Sequence, residues 1–147
     1  MRLAQHIETH ILTGDAADTV TLDYEARFLR RKRLVSDAGE PFLVELAETR
    51  SLNQGEGFRL DDGRIIAVMA AAEPLLAVRH GNLARIAWHV GNRHTPCQIA
   101  DDHILIREDK VLQAMLEGLG ASVTQVTAPF TPEGGAYGHG RTHGHEH

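Results

Sequence analysis

A chain of 147 residues, 42% apolar and 24% charged, has the composition of a folded globular protein with one medium domain or two small ones. Its formal net charge of −5 argues against a general nucleic-acid-binding protein, which needs an excess of Lys and Arg to neutralise phosphates. No apolar stretch approaches the length of a membrane span, and the N-terminus lacks the pattern of a signal peptide, so we expect no membrane association. The single cysteine, Cys97, cannot form an internal disulfide, which fits a reducing, cytoplasmic location.

The first half of the chain shows the alternation of apolar and polar residues that is typical of half-buried β-strands. TVTLDYEARF alternates over residues 20–28, and PFLVEL alternates over residues 42–46. In GFRLDDGRIIAV, residues 62–63 provide turn chemistry between two short apolar runs, which predicts a hairpin. No helical period competes in this half, so we expect a small all-β domain over residues 1–72, with a hinge at residues 73–74.

The second half predicts the element order β-α-β-β-α-β of a ferredoxin-like domain over residues 73–132. The apolar runs at residues 75–78 and 104–106 show no alternation, as expected of strands that are buried on both faces. They are the first and third strands, which are the central ones in such a sheet. A turn at residues 101–102 precedes the third strand, and SVTQVTAPF supplies the last one. The predicted fold class is therefore α+β, with a small all-β domain followed by a ferredoxin-like domain.

Each of the two predicted helices has an apolar face and a signal for its end. The helix in GNLARIAWHVGN can be capped by Asn82 and can end at Gly91 in a left-handed conformation. Its apolar stripe consists of Leu83, Ile86, Ala87 and Val90. The helix in DKVLQAMLEGLG ends at Gly120. Its apolar face consists of Val111, Leu112, Met115, Leu116 and Leu119.

Residues 133–147, EGGAYGHGRTHGHEH, form a tail rich in Gly and His. The tail cannot bury enough apolar surface to offset its ordering entropy, so we expect it to be disordered. The histidines are interspersed with other residues, unlike those of a purification tag. Neutral imidazole suits nickel, zinc and copper, and a flexible backbone can wrap several histidines round one ion. The candidate metal ligands in the tail are His139, His143, His145 and His147.

A further candidate ligand, His94, lies in AWHVGNRHTP between the first helix and Pro96, where its backbone should be well fixed. An ordinary loop histidine is the default interpretation, and a metal ligand is the alternative. One fixed histidine makes a poor nickel or zinc site, because these ions require at least four ligands. Near the two-fold axis of a homodimer, however, His94 would face its symmetry mate, and tail histidines would complete the coordination shell.

Three neighbouring residues, Arg85, Trp88 and His89, lie away from the apolar stripe of the first helix. An exposed Trp on such a face usually marks a dimer or partner surface. The alternative is that Trp88 packs against the first domain, and the sequence leaves both interpretations open.

Other residues offer weaker signals. Cys97 and Ile99 share one face of a short strand that should face the core, which favours a buried free cysteine over a metal ligand. His103 is interpreted as a neighbour of the turn before it. RFLRRKRL carries a basic patch over residues 27–33, which is either a solvated strand end or a docking surface for an acidic partner.

RNA binding is a competing function class, because RNA-binding domains share the order β-α-β-β-α-β. Such a domain stacks bases on aromatic side chains of its two central strands. Residues 75–78 and 104–106 contain no aromatic side chain, which argues against this class.

Together these segments resemble the UreE family of urease accessory nickel metallochaperones. The resemblance covers nearly the whole chain, through RFLRRKRL, LDDGRIIAV, AEPLLAVR, LARIAWHVGNRHTP and PFTPEGGAYGHG with the His-rich end. GNRH after the first helix of the second domain is the most specific of these motifs. One departure is Lys110, where some members of the family have a histidine, so an auxiliary site built on that position is expected to be absent.

The resemblance implies a homodimer formed by the C-terminal domains, in which His94 of both chains binds the metal and tail histidines add ligands. It implies Ni²⁺ as the cargo, and Zn²⁺ or Cu²⁺ suit the same imidazole ligands. The implied partners are the urease accessory GTPase and the urease apoprotein complex. The first domain resembles the family's peptide-binding domain. We therefore expect a non-enzymatic protein that delivers nickel, and the alternative is a general nickel or zinc storage or buffering protein that uses the tail.

Overall fold

The computed structural model describes residues 1–12 and 14–134 and shows an α+β chain, mostly strands with two helices. The described residues fall into two compact units, Met1–Ala71 and Ala72–Glu133. The first unit contains the strands β1 (Arg2–Glu8), β2 (Asp18–Leu22), β3 (Phe28–Val35), β4 (Pro41–Ser51), β5 (Gly57–Leu60) and β6 (Ile65–Ala70). The second contains β7 (Ala72–Arg79), α1 (Leu83–Asn92), β8 (Gln98–Ile99), β9 (Ile104–Arg107), α2 (Lys110–Gly118) and β10 (Ser122–Pro129). No helix in the described ranges is long and apolar enough to cross a membrane.

The six strands of the first unit form one sheet in the order β2-β6-β5-β1-β4-β3. β1 pairs in parallel with β4, β2 pairs in parallel with β6, and the other neighbours are antiparallel. The predicted alternation in β4 is confirmed, because Phe42, Val44 and Leu46 are all buried in the core. The predicted hairpin is confirmed as β5 and β6, which are joined by a turn with Gly63 at a φ of 91°.

The prediction of one continuous strand over residues 20–28 is wrong, because a turn separates β2 from β3. The side chain of Asp23 accepts a hydrogen bond from the N–H of Ala26 at 2.8 Å, and its carbonyl accepts one from the N–H of Arg27 at 3.1 Å. Asp forms such local bonds readily and thereby interrupts an extended chain. The regular apolar spacing concealed this turn.

Arg27 lies in that turn and is only 1% exposed, so it does not belong to the basic patch predicted over residues 27–33. Its Nε donates to the carbonyl of Leu52 and its Nη1 donates to the carbonyl of Leu22, each at 3.0 Å. The guanidinium thus satisfies one carbonyl at the end of β2 and one just after β4, which is a structural task.

The exposed part of the basic patch consists of residues 30–33 on β3, which is an edge strand. The register with β4 shifts between Leu29 and Arg31, which marks a bulge or irregularity. Beyond this shift Lys32 pairs with the buried Val44, so Lys32 extends from the core-facing side of the edge strand while remaining exposed.

In the second unit, α1 and α2 pack on one face of an antiparallel sheet with the order β10-β7-β9-β8. The interior strands β7 and β9 contain the two unbroken apolar runs of the sequence. Residues of both faces are buried there, namely Leu75, Leu76, Ala77, Val78, Ile104, Leu105 and Ile106. Burial on both faces explains why these strands do not alternate.

Both helices begin where the sequence predicts and bury most of the predicted faces. The side chain of Asn82 accepts a hydrogen bond from the N–H of Arg85 at 3.1 Å and caps α1. Assigning Val111 to the apolar face of α2 was wrong, since it is 69% exposed. The buried stripe is centred on Leu112 and Leu116, and Val111 lies about 120° round the helix from its centre.

Beyond β10 the chain connects one edge of this sheet to the other through residues 130–133, which we call the strap. Phe130 is fully buried. The N–H of Thr131 donates to Oε1 of Gln98 at 2.9 Å, and the N–H of Glu133 donates to the carbonyl of Cys97 at 2.8 Å. β10 and β8 are the two edge strands, so the strap carries the chain from the first to the start of the second.

Candidate metal site

His94 lies just past the end of α1, in a left-handed backbone conformation with a φ of 57°. The helix ends at its C-cap Arg93. The N–H of His94 donates to the carbonyl of Gly91 at 2.9 Å, and the N–H of Thr95 donates to the carbonyl of Val90 at 3.3 Å. These two bonds define a Schellman motif, in which the left-handed position usually belongs to Gly. The prediction that Gly91 ends the helix in a left-handed cap was therefore wrong, since Gly91 lies within α1 and His94 takes that position.

α2 ends in the same motif, with Gly in the equivalent place. Gly120 has a φ of 89° and donates its N–H to the carbonyl of Glu117 at 3.0 Å, and Ala121 donates to the carbonyl of Leu116 at 3.0 Å. A left-handed conformation costs a residue with a Cβ atom about 1 kcal/mol or more relative to Gly. His94 is thus a backbone outlier at a position where Gly would be more stable, which points to a function for its side chain.

The imidazole of His94 is exposed on this fixed backbone. Within residues 1–12 and 14–134, no three His, Cys, Asp or Glu side chains come together in a way that could hold a metal ion. His94 therefore needs ligands from outside the described part of one chain to form a site for nickel or zinc.

The four predicted tail ligands, His139, His143, His145 and His147, lie outside the described residues. The strap nevertheless fixes where the tail begins, because Glu133 is hydrogen-bonded to Cys97, three residues after His94. His139 follows Glu133 by six residues in the sequence.

Trp88 lies on the outer face of α1 and is 63% exposed, which favours the interpretation of this face as a partner surface. Its ring meets the ring of His89 edge-on, with centroids 5.0 Å apart. Arg85 is exposed one turn before Trp88. Trp88 is the sixth of the ten residues of α1 and precedes His94 by six residues.

Cys97 is half-buried, and burial raises the pKa of its thiol, with a further contribution from the carboxylate of Glu133. A thiol with a raised pKa is a poor ligand, because the thiolate is the form that binds metal. The expectation that Ile99 faces the core beside Cys97 was wrong, since Ile99 is 50% exposed on a two-residue edge strand.

Two further histidines have local structural partners. Nδ1 of His103 lies 2.6 Å from Oδ1 of Asp102 in the turn before β9, and this contact lowers the pKa of Asp102. Nδ1 of His80 accepts a hydrogen bond from the N–H of Asn82 at 2.9 Å, so Nε2 carries the proton and donates to the carbonyl of Leu119 at 3.1 Å. His80 thereby links the start of α1 to the end of α2.

The sequence reasoning did not identify Gln98 and the strap. The one local signal was the spacing of Pro129 and Pro132 in PFTPE, which predicts an extended, restricted backbone. The partner of this segment is 33 residues away in the chain and could not be inferred from local pattern.

Comparison with known proteins covers both units. The family model described as the N-terminal domain of the UreE urease accessory protein matches residues 2–71, and the model of the C-terminal domain matches residues 73–147. The chain is 58% identical to the urease accessory protein UreE of Ruegeria pomeroyi over 134 residues, 91% of this chain and 90% of that protein. It is 61% identical to the UreE of Rhodobacter capsulatus over 132 residues, 90% of this chain and 84% of that protein. For the UreE of Paracoccus denitrificans the identity is 63% over 123 residues, 84% of this chain and 79% of that protein.

Proposed function

The chain belongs to the UreE family of urease accessory proteins, and on that premise we propose that it is a nickel metallochaperone. It binds Ni²⁺ at a homodimer interface and delivers the ion for assembly of the urease active site. Its partners in this role are the urease accessory GTPase and the urease apoprotein complex, in the cytoplasm, and its part is delivery without catalysis.

The observation that supports this proposal most strongly is the conformation of His94. An exposed imidazole stands on a backbone fixed by two hydrogen bonds, at a position where Gly would be more stable. Residues 1–12 and 14–134 of one chain supply too few neighbouring ligands for a nickel site. A second copy of His94 across a two-fold axis, together with tail histidines, would provide the remaining metal ligands.

The surface around His94 supports a dimer formed by the second unit. Trp88 and Arg85 are exposed on the helix that leads to His94. A two-fold axis near the end of α1 would bring the two His94 side chains together and bury the two indoles. The sheet order β10-β7-β9-β8, with both helices on one face, supports a ferredoxin-like domain over residues 73–132 as the dimerisation unit.

The proposed ligand set suits delivery because its two kinds of ligand have separate roles. The two His94 imidazoles define where the ion binds, and the tail histidines add ligands that can dissociate one at a time during transfer. Imidazoles bind as neutral groups, so the same residues also accept Zn²⁺ and Cu²⁺. In this proposal the small β domain, residues 1–72, contributes no metal-binding side chain. Its role is contact with partner proteins.

Mass measurement under native conditions, with the full chain and added Ni²⁺, tests the proposal. We expect a dimer that retains Ni²⁺, and loss of the tight site in His94→Ala, with an affinity drop beyond the roughly 10- to 100-fold caused by losing a ligand's supporting hydrogen bond. His10→Ala is a matched control, because His10 is also exposed and also has a φ of 57°. An unchanged affinity and stoichiometry in His94→Ala would exclude the interfacial site.

The same measurement separates delivery from storage. Replacing His139, His143, His145 and His147 by Ser in the full chain removes the tail ligands. Storage in the tail predicts that most of the metal capacity disappears. Delivery predicts that one site per dimer remains, with weakened affinity.

A further inference from the structure

The exposed part of the basic patch, residues 30–33 on the edge strand β3, has no task in metal binding, and we call it the basic edge. β3 pairs only with β4, and residues 29–35 make no backbone hydrogen bond to any other described part of the chain. An edge strand keeps a row of N–H and C=O groups that another extended segment can pair with. We propose that the basic edge binds an acidic, extended segment of a partner protein, which adds to the sheet beside β3. This contact rests on the proposed function, which assigns partner binding to the first unit, and gives it a surface and a chemistry.

The basic edge carries positive charge that its surroundings neutralise only weakly. Arg31 and Glu45 are both exposed and 3.9 Å apart, which makes a loose ion pair. Nε of Arg30 donates to a backbone carbonyl of β4 at 3.5 Å, so its charge has no counterion there. Within residues 1–12 and 14–134, Lys32 and Arg33 have neither an ion pair nor a side-chain hydrogen bond. Carboxylates on a neighbouring segment would therefore supply pairs that the described part of this chain does not provide.

The residue types of the basic edge favour a polypeptide over other anionic partners. Three of the four residues are Arg, whose planar guanidinium can bind a carboxylate through two parallel hydrogen bonds. Phosphate fits the same group, but a chain with a net charge of −5 would repel a nucleic acid or an anionic membrane beyond these four residues. A polypeptide can also pair with the open backbone of the strand, which a nucleic acid or lipid cannot do in the same way. An acidic peptide segment thus uses both properties of the edge.

The register of β3 determines where the carboxylates of the partner must lie. Arg31 and Arg33 share one face of the strand, whereas Lys32 pairs with the buried Val44 and extends from the other face. Charge pairs on neighbouring strands form between residues that are directly opposite each other. Three consecutive acidic residues therefore match the basic edge, with two carboxylates on one face and one on the other.

Contacts with β2 limit the length of the docked segment. Just past the end of β3, the N–H of Asp37 donates to the carbonyl of Thr19 at 2.8 Å, and the carboxylate of Asp37 accepts a hydrogen bond from the hydroxyl of Thr21 at 2.8 Å. At the other end, the turn that contains Asp23 joins β3 to β2. The added strand can thus be no longer than β3 itself, which has eight residues.

The test is a titration of the metal-free full chain into fluorescein-labelled peptides, followed by fluorescence anisotropy. The probe is a short peptide with three consecutive glutamates flanked by Thr and Val. One control peptide has glutamines in place of the glutamates, and a second keeps the glutamates but is N-methylated at two adjacent ones, which removes backbone donors without changing the charge. We expect the probe to bind with a Kd below about 1 mM, and both controls to bind about tenfold more weakly or worse.

Variants of the protein locate the binding surface. Lys32→Gln and Arg33→Gln should each weaken binding of the probe about two- to fivefold, as expected of single exposed charge pairs. Arg79→Gln is the matched control, since Arg79 is exposed at the end of β7 in the second unit, and it should leave the affinity unchanged. Saturation with the probe should also slow amide hydrogen exchange of residues 30–33, because a paired strand protects the backbone of the edge.

Three results would overturn the inference. Absence of binding up to about 1 mM would leave the basic edge as a solvated strand end. Equal binding of the N-methylated peptide, or unchanged amide exchange, would show attraction of charges without strand addition. Displacement of the probe by tighter-binding phosphatidylserine vesicles or single-stranded DNA would assign the edge to a different class of partner. These measurements need no metal, so a dimer without a tight Ni²⁺ site would overturn the proposed function and leave the peptide result standing.

Discussion

His94 and Gly120 occupy equivalent positions at the ends of the two helices of the second unit. Both are left-handed, with φ values of 57° and 89°, and both donate the N–H to the carbonyl three residues earlier, at 2.9 and 3.0 Å. One position holds the residue that this geometry prefers, and the other holds a histidine. The pair therefore provides an internal reference for the energetic cost of the histidine.

His94→Gly should stabilise the metal-free protein by about 1 kcal/mol and abolish the tight Ni²⁺ site. The reciprocal change, Gly120→Ala, should destabilise it by a similar amount. A Cβ atom there would lie an ordinary 3.7 Å from Nε2 of His80, so the cost comes from the backbone. Urea unfolding at fixed protomer concentration measures both. A His94→Gly variant no more stable than wild type would contradict the assigned conformation.

Trp88 should report dimer formation directly, because it is the one tryptophan of the chain. Burial at an interface should shift its emission to shorter wavelength as protein concentration rises. Trp88→Ala should weaken the dimer by about 2 kcal/mol, roughly 30-fold, as expected of a central interface residue. Val111→Ala serves as the control, since Val111 is similarly exposed on α2. Emission that stays constant across the dissociation range would place Trp88 outside the interface.

Ni²⁺ binding should weaken as the pH falls, because protons compete with the metal ion for the imidazole nitrogens. Competition titrations at about pH 8 and about pH 5.5 measure this, and we expect an affinity lower by at least tenfold at the acidic pH. The variant with four Ser in place of the tail histidines should show a shallower pH dependence, since fewer imidazoles take part. Equal affinity at both pH values would indicate that carboxylates hold the ion.

Arg27→Met should destabilise the first unit by about 2–4 kcal/mol, because it leaves the carbonyls of Leu52 and Leu22 without the donors they have now. Arg33→Met, on the exposed part of β3, should change the free energy of unfolding by less than about 0.5 kcal/mol. Chemical denaturation of the two variants provides the comparison. Similar values for both would show that Arg27 acts as an ordinary surface charge.

Arg64 should make the stability of the first unit sensitive to acid. Its Nη1 donates to Oε1 of Glu40 at 2.7 Å and its Nε donates to Oδ2 of Asp62 at 2.8 Å. These hydrogen bonds lower the pKa of both carboxyl groups. Such a group stabilises the fold above its unfolded pKa of about 4, and this contribution disappears as the pH falls through the lower folded pKa.

The stability of wild type should therefore drop more between about pH 5 and about pH 3 than that of Arg64→Met. Arg31→Met is the control, since Arg31 and Glu45 are exposed and 3.9 Å apart. Urea unfolding midpoints at several pH values give the comparison. If the midpoints of wild type and Arg64→Met fell in parallel with pH, Arg64 would not be the source of the acid sensitivity.

The sequence predicted strands correctly where the spacing of apolar residues matches the faces that are buried. The alternation in β4 and the unbroken runs of β7 and β9 each match one kind of strand environment. β1 was missed because only Ala4 of its seven residues is buried, although the strand lies inside the sheet. Its position follows from pairing with distant strands, which the period of its own residues does not show.

For the candidate site, sequence identified His94 but not its conformation. Gly91 is a stronger local signal for a helix end than His94 is. The helix nevertheless continues past Gly91, because the Schellman motif forms at Arg93 and His94. The bond between Gln98 and Thr131 joins residues 33 positions apart, so tertiary structure was needed to find it.

The edge strand β3 has a consequence for how copies of this chain can meet. Residues 30–33 place four positive charges in succession on the strand, and Lys32 extends from its core-facing side. Two copies pairing along this edge would set like charges against each other, and the irregularity between Leu29 and Arg31 would disturb their register. The sheet of the first unit therefore resists extension by a second copy at this edge, which leaves self-association to other surfaces and keeps a concentrated protein from polymerising through β3.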